Sequence, residues 1–182
     1  MVRTDEKLIT ELKEQLDGIL ENWSRLEVKK TDTSPLDMVS PKALEQVQKE
    51  LKEKGKFTRY SNKIGYAPHW RNLEIAEKLT DRFKYKGIPT LHPRGQFLYK
   101  KNGGMSWHTN NESPGIRFYF TYTKEAGKSF FRYQDFDTKE IITDYDKGGW
   151  QVRKFTVSVN RPIWHCVGSE VDRYSIGFGP ND

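Results

Sequence analysis

The hydrophobic positions change their period near residue 90. Before this point apolar residues recur at spacings of three and four, which is the period of a helix with one buried face. The pattern predicts three helices. Their expected inward-facing residues are Leu8, Leu12, Leu16, Ile19 and Trp23 in the first, Leu44, Val47 and Leu51 in the second, and Leu73, Ala76, Leu79 and Phe83 in the third.

Short polar residues and glycine mark the expected ends of these helices. Thr4 is placed to cap the first helix, and Ser40 followed by Pro41 has the order of an N-cap and a first helical residue. Gly55 is placed to end the second helix. The third helix is predicted over residues 72–84, and residues 28–38 are predicted to form a loop.

After residue 90 the pattern is typical of strands and turns. Aromatic and β-branched residues, which favour strands, are concentrated in GQFLYK, MSWHT, IRFYFTYT, SFFRYQ, WQVRKFTVSV and RYSIGF. Turn residues at 102–104, 113–115 and 147–149 separate them. We therefore predict an α+β fold in a single domain of residues 1–182, with a helical support region at 1–89 and an antiparallel jelly-roll core at 90–182.

Composition favours a soluble protein. Hydrophobic residues make up 35% and charged residues 31% of the chain, and no apolar run approaches the roughly 20 residues that a membrane span needs. The N-terminal residues lack the apolar segment of a signal peptide. A single cysteine, Cys166, excludes an intrachain disulfide framework. We therefore expect a cytoplasmic protein without a membrane partner.

The net charge of +6 raises the question of a nucleic-acid partner. Basic residues alternate with acidic ones along most of the chain, and even the densest basic stretch, residues 49–63, contains Glu50 and Glu53. This arrangement favours a solvated helix face over a nucleic-acid footprint. The sequence contains no P-loop, dinucleotide-binding glycine motif or zinc cluster.

Candidate chemistry lies in the strand region. His108 and His165 stand in strand-like segments, and Arg173 and Ser175 follow the second histidine. Strand alternation places His108 and Asn110 on one face, and Arg173 and Ser175 on one face. In the segment 116–123, alternation also groups three polar residues, Arg117, Tyr119 and Thr121.

These residue types suit a particular kind of site. Imidazole nitrogens bind Fe(II), and an open-faced site leaves positions for a bidentate oxo acid and for oxygen. A buried arginine, helped by a serine hydroxyl, can hold the far carboxylate of that acid. Two histidines alone are weak evidence, because a histidine in a β-protein is more often a structural residue.

The chain resembles the Fe(II)/2-oxoglutarate-dependent dioxygenases in three segments. GQFLYKKNGGMSWHTN is similar to the strand that leads into the His-x-Asp ligand pair of the family. KSFFRYQD is similar to a following strand, and PIWHCVGSEVDRYSIGF to the distal histidine with its Arg-x-Ser. The resemblance covers roughly residues 90–178. It implies a double-stranded β-helix, which is a cupin-like jelly roll.

The resemblance also implies roles for individual residues. His108 and His165 would bind Fe(II), Arg173 and Ser175 would hold 2-oxoglutarate, and Tyr99 would be a further cosubstrate contact. The implied activity is hydroxylation of a C–H bond. A small molecule or a peptide is the favoured substrate, and a nucleic-acid substrate stays open as an alternative.

The chain departs from the family at the third ligand, where Asn110 replaces the usual aspartate. In one interpretation its amide oxygen or water completes the site, as in the aspartyl/asparaginyl β-hydroxylases, which use two histidines. The chain is similar to that branch in placing Arg117 and Tyr119 after His108, which implies that both contact the cosubstrate. Glu112 is an alternative carboxylate. A halogenase-like site is disfavoured because asparagine is bulkier than the usual alanine or glycine, and the last alternative is a metal-free binding or structural jelly roll.

Overall fold

The strands form a single curled antiparallel sheet in the computed structural model, which describes residues 2–21, 37–66, 71–110 and 112–180. Nine strands lie in these residues: β1 Arg3–Thr4, β2 Ser61–Tyr66, β3 Leu91–His108, β4 Gly115–Thr123, β5 Ser129–Gln134, β6 Ile141–Tyr145, β7 Gly149–Val157, β8 His165–Ser169 and β9 Arg173–Pro180. Their order is β1-β7-β4-β9-β3-β8-β5-β6, and β2 pairs with β3. The predicted α+β jelly roll, a double-stranded β-helix, is confirmed.

The curled sheet has two layers, a main layer with β1, β7, β4 and β9 and a second layer with β8, β5 and β6, and strand β3 joins them. Its first part, residues 91–99, pairs with β9, and its last part, residues 103–108, pairs with β8. The predicted turn at residues 102–104 is wrong, because the strand continues through it as a bulge. Asn102 takes a φ of 61° at this bulge. The register with β2 shifts there: Asn62 pairs with Gly104, whereas Ile64, two residues further along β2, pairs with Tyr99.

Four α-helices lie in the described residues: α1 Glu6–Glu11, α2 Lys13–Leu20, α3 Pro41–Lys54 and α4 Arg71–Phe83, with a 3-10 turn at Lys84–Lys86. The predicted ends of α3 are confirmed. The hydroxyl of Ser40 accepts a hydrogen bond from the backbone nitrogen of Ala43, and Gly55 ends the helix with a φ of 68°. A glycine suits this position because other residues strain at positive φ.

The first predicted helix is wrong in two respects. It is broken at Leu12 into α1 and α2, and its cap is Asp5, whose side chain accepts from the backbone nitrogen of Leu8. Thr4 lies one residue before this cap and pairs with Arg153 in the β1–β7 ladder. Trp23 lies outside the described residues, as does most of the predicted loop at 28–38.

The predicted inward-facing residues Ala76, Leu79 and Phe83 of α4 are buried, but Leu73 is not. Leu73 is 60% exposed, whereas Ile75 is fully buried with Leu79 and Phe83. These three residues fall on one side of the helix at a spacing of four, and Leu73 falls outside that stripe. On α3, Leu51 is likewise exposed rather than part of the buried stripe.

The apolar face of the main layer points outward, toward the helices. Phe118 and Phe120 of β4 and Ile176 and Phe178 of β9 pack there against residues of α1, α2 and α4, including Leu8, Leu16, Ile75 and Leu79. Helix α3 covers the second layer in the same way, with Leu44 and Val47 near Trp107 and Cys166. The alternate residues of these strands therefore point into the space between the layers.

No helix in the described ranges is long and apolar enough to cross a membrane.

Candidate functional site

A cavity of about 820 Å³ lies between the two layers. Its wall contains the eight residues for which the resemblance implied a metal or cosubstrate role: Tyr99, His108, Asn110, Arg117, Tyr119, His165, Arg173 and Ser175. It also contains Arg59, Thr121, Phe131 and Arg153. Strand alternation explains this grouping, because the neighbours of these residues along β4 and β9 belong to the apolar face beneath the helices.

The two histidines face each other across the β3–β8 pair. His108 and His165 are partners in the strand register, and their ring centroids lie 4.2 Å apart. Each Nδ1 is hydrogen-bonded to a backbone oxygen, that of Ser106 at 2.8 Å and that of Ile163 at 2.9 Å. A carbonyl oxygen only accepts, so each Nδ1 carries the proton and each Nε2 keeps a lone pair, as in metal-binding histidines.

Burial keeps both imidazoles neutral. It lowers the pKa of His108 well below 6.5, and the neighbouring His165 lowers it further. Burial also lowers the pKa of His165, to about 4, and the charges of Arg59 and Arg117 lower this pKa further. The hydrogen bond to Ile163 acts in the opposite direction and raises it. At neutral pH a metal ion therefore has no proton to displace from either ring.

Asn110 reaches the same point from the end of β3. Its amide nitrogen donates to the hydroxyl of Tyr119 at 2.9 Å and lies 3.3 Å from Nε2 of His165. Two ligand atoms that each sit about 2.1 Å from one metal ion at right angles are roughly 3 Å apart. The end of the Asn110 side chain thus stands at the separation expected between two ligands of one ion.

The described residues contain no group of three histidine, cysteine, aspartate or glutamate side chains that could hold a metal. Glu112, the alternative carboxylate, is exposed at the cavity mouth. The donor set at the histidine pair is therefore two neutral imidazoles and one amide. This set suits Fe(II) as a two-histidine site, because imidazole is a good ligand and the other positions stay open.

Arg173 also lines the cavity and is 1% exposed. Its Nε donates to Asp146 at 2.7 Å, and its Nη2 donates to the hydroxyl of Thr121 at 3.3 Å. Its Nη1 is buried, and the described part of the chain offers it no acceptor. A buried charged donor without a partner is costly, so this nitrogen suits an anionic ligand.

Tyr99 and Ser175 lie beside this arginine. The guanidinium carbon of Arg173 is 5.4 Å from the centre of the Tyr99 ring, and Tyr99 is 2% exposed. Ser175, two residues along β9, lines the same cavity. Arg117 also lines it, but its Nη1 and Nη2 donate to the backbone oxygens of Ile116 and Ser113.

Asp146 and Arg153 belong to the site although the sequence pattern did not indicate them. Asp146 ends an acidic stretch of the sequence, yet it is 1% exposed and bonded to Arg173. Arg153 bonds to the other oxygen of Asp146 at 2.7 Å. Strand alternation in β7 places Arg153 and Lys154 on opposite faces. Because both residues are basic, the sequence does not show which of them points into the cavity.

Known proteins match this chain by fold only. No family model matches the sequence, and no curated protein matches it. Among solved structures, OsALKBH1 aligns with a TM-score of 0.55 at 13% identity, covering 98% of this chain and 97% of that chain. This similarity shows the fold.

Two further structures align less closely. A Pseudomonas putida prolyl-4-hydroxylase has a TM-score of 0.49 at 13% identity, covering 92% of this chain and 100% of its own. The third structure is a prolyl hydroxylase from Trichoplax adhaerens in complex with a hypoxia inducible factor oxygen degradation domain peptide fragment. It has a TM-score of 0.47 at 10% identity and covers 97% of this chain and 93% of its own.

Proposed function

We propose that this protein is a non-haem Fe(II)/2-oxoglutarate-dependent oxygenase that hydroxylates a C–H bond, built as one domain of residues 1–182. One observation carries the proposal. The same cavity is lined by two histidines whose Nε2 atoms carry no proton and by an arginine with a buried nitrogen that has no acceptor among the described residues. A metal and a dicarboxylate are the ligands that these two features favour together.

His108 and His165 would hold Fe(II) through their Nε2 atoms. Asn110 would complete the site with its amide oxygen, which requires the amide group to turn over. Tyr119 tolerates this turn, because burial raises the pKa of its hydroxyl to about 12 and a protonated hydroxyl either accepts from the amide nitrogen or donates to the amide oxygen.

Arg173 would bind the distal carboxylate of 2-oxoglutarate, with Ser175 and Tyr99 beside it. Bound Fe(II) and 2-oxoglutarate would supply the oxidation of the C–H bond by O2, with release of succinate and CO2. The cavity of about 820 Å³ is far larger than 2-oxoglutarate alone. The remaining space would hold the substrate, for which a small molecule or a peptide is favoured.

One observation favours a second candidate, a metal-free binding domain. The amide nitrogen of Asn110 lies 3.3 Å from Nε2 of His165, so this ring nitrogen has a donor without any metal. A jelly roll of this kind would bind its ligand at Arg173 and perform no oxidation.

An anaerobic titration with Fe(II) and 2-oxoglutarate tests the proposal against this alternative. An oxygenase gives a weak visible charge-transfer band, because the oxo acid binds iron through two oxygens. We expect the band for the natural chain, its loss in His165→Ala, and a weaker 2-oxoglutarate affinity in Arg173→Ala. Absence of both the band and succinate release from folded protein in excess iron would support the binding domain instead.

A further inference from the structure

We infer that Asp146 is the positioning residue for the cosubstrate carboxylate, because it determines which edge of the Arg173 guanidinium faces the cavity. The inference rests on the proposed function, since it concerns how Arg173 would bind 2-oxoglutarate. Asp146 does not belong to the cavity wall; it lies behind Arg173 and acts through it.

Asp146 is held by four side-chain donors that come from three parts of the sheet. Its Oδ2 accepts from Nε of Arg173 at 2.7 Å and from the hydroxyl of Ser129. Its Oδ1 accepts from Nη1 of Arg153 at 2.7 Å and from Nε2 of Gln151 at 2.5 Å. Its backbone nitrogen also donates to the oxygen of Ser129 at 2.8 Å. The carboxylate is therefore fixed in both position and orientation.

This fixed carboxylate leaves Arg173 one edge for a ligand. A guanidinium offers five N–H donors in a planar fork. Asp146 takes the Nε donor, and Thr121 takes one donor of Nη2 at 3.3 Å. The buried Nη1 remains without an acceptor among the described residues. A carboxylate would thus meet the end of the guanidinium rather than its side.

The local charge shows that Asp146 does not cancel the attraction of Arg173 for an anion. One carboxylate is shared between two arginines, and all three side chains are at most 1% exposed. Asp144 bonds to Nε of Arg153 at 2.7 Å, but its side chain is 37% exposed. Asp146 therefore orients Arg173 while the buried group keeps a positive excess.

The test separates position from charge with two matched variants. Asp146→Asn and Asp144→Asn each remove one negative charge beside Arg153, but only the first changes the acceptor of Arg173, because an amide offers one oxygen where Arg173 and Arg153 use two. We expect the Kd of 2-oxoglutarate, measured by calorimetry on Mn(II)-loaded protein, to rise at least tenfold in Asp146→Asn and less than twofold in Asp144→Asn. The Kd of Mn(II) should stay unchanged in both, and in turnover assays KM should rise more than kcat falls.

Asp146→Glu covers the case in which Asp146→Asn does not fold. It keeps the charge but moves the carboxylate by one methylene, so it should also weaken 2-oxoglutarate binding by several fold. Equal affinity in Asp146→Glu and the natural chain, or equal losses in Asp146→Asn and Asp144→Asn, would overturn the positioning role. Failure of the natural chain to bind Mn(II) and 2-oxoglutarate would instead overturn the proposed function.

Discussion

Asn110 and Tyr119 are joined by a hydrogen bond of 2.9 Å in which the amide nitrogen of Asn110 is the donor. The same nitrogen faces Nε2 of His165 at 3.3 Å. Position 110 therefore reaches the nitrogen that the proposed iron would use. The metal affinity of the proposed site should therefore depend on whether the side chain at position 110 presents an N–H, a neutral oxygen or an anionic oxygen.

The first prediction concerns Asn110→Asp. An anionic oxygen binds a hard cation more strongly than a neutral amide, so we expect the Kd of Fe(II) to fall about tenfold or more. Succinate release should fall below that of the natural chain, because an anionic carboxylate would stay bound at a metal position that the neutral amide oxygen holds only weakly. Metal titration and succinate assays measure the two effects. Asn110→Ala is the control, and equal metal affinity in the two variants would contradict the prediction.

A second prediction concerns Arg173→Lys. Lysine keeps the charge but loses the planar fork and cannot serve both Asp146 and a ligand in the same way. We expect the 2-oxoglutarate affinity to fall by about 1–3 kcal/mol. Calorimetry measures the loss, and the Fe(II) affinity should not change. If Arg173→Ala keeps its 2-oxoglutarate affinity, Arg117 becomes the residue to examine.

The histidine pair predicts a pH dependence of stability. In the folded protein the pKa of His165 is about 4, below the unfolded value of about 6.5. Between these values the unfolded chain binds a proton that the folded chain does not, so the free energy of unfolding falls as pH decreases from about 6.5 to about 4, by at most about 3 kcal/mol. Denaturant unfolding at several pH values should show a smaller fall in His165→Gln. An unchanged profile would argue against a neutral buried His165.

Asp146 predicts a separate loss at lower pH. Burial raises the pKa of its carboxyl, but Arg173 and Arg153 outweigh this effect and hold the pKa at about 2, below 3.8. Its ionised form therefore stabilises the fold above about pH 3.8, and this contribution is lost as pH falls toward about 2. The same unfolding series, extended to acid, should show this second fall reduced in Asp146→Asn. Identical acid profiles for both proteins would contradict it.

A final prediction compares two residues on opposite faces of β9. Phe178 is fully buried beneath the helices, so Phe178→Ala should lower the free energy of unfolding by about 3–5 kcal/mol. Ser175→Ala should change it by less than about 1 kcal/mol and weaken 2-oxoglutarate binding instead. Unfolding curves and calorimetry on the two variants test this separation. A large loss of stability in Ser175→Ala would mean that the inner face also holds the fold together.

Strand alternation made much of the site predictable from sequence. A period of two places Arg173 and Ser175 on one face and Ile176 and Phe178 on the other whatever the tertiary context. The ends of α3 were predictable for a similar reason, since Ser40 and Gly55 act through local backbone geometry.

Residues whose roles depend on distant partners were not predictable. Asp146 is buried because two arginines from other strands meet it, and nothing in its own segment requires that. Strand β2 lies in a polar stretch and forms because β3 offers it an edge. The glycines after Asn102 indicate a reversal locally, whereas pairing with β2 and β8 keeps the chain extended there.

The apolar face that packs against the helices and the face that lines the cavity are separate surfaces of the same strands. Helices α1, α2 and α4 cover one face of β4 and β9, while the cavity lies on the other face. Substitutions in the cavity can therefore alter ligands and specificity without disturbing the packing that folds the sheet. Under the proposed function, an asparagine instead of a carboxylate at position 110 would be a change of this kind, since it would alter a metal ligand and leave the packing beneath the helices intact.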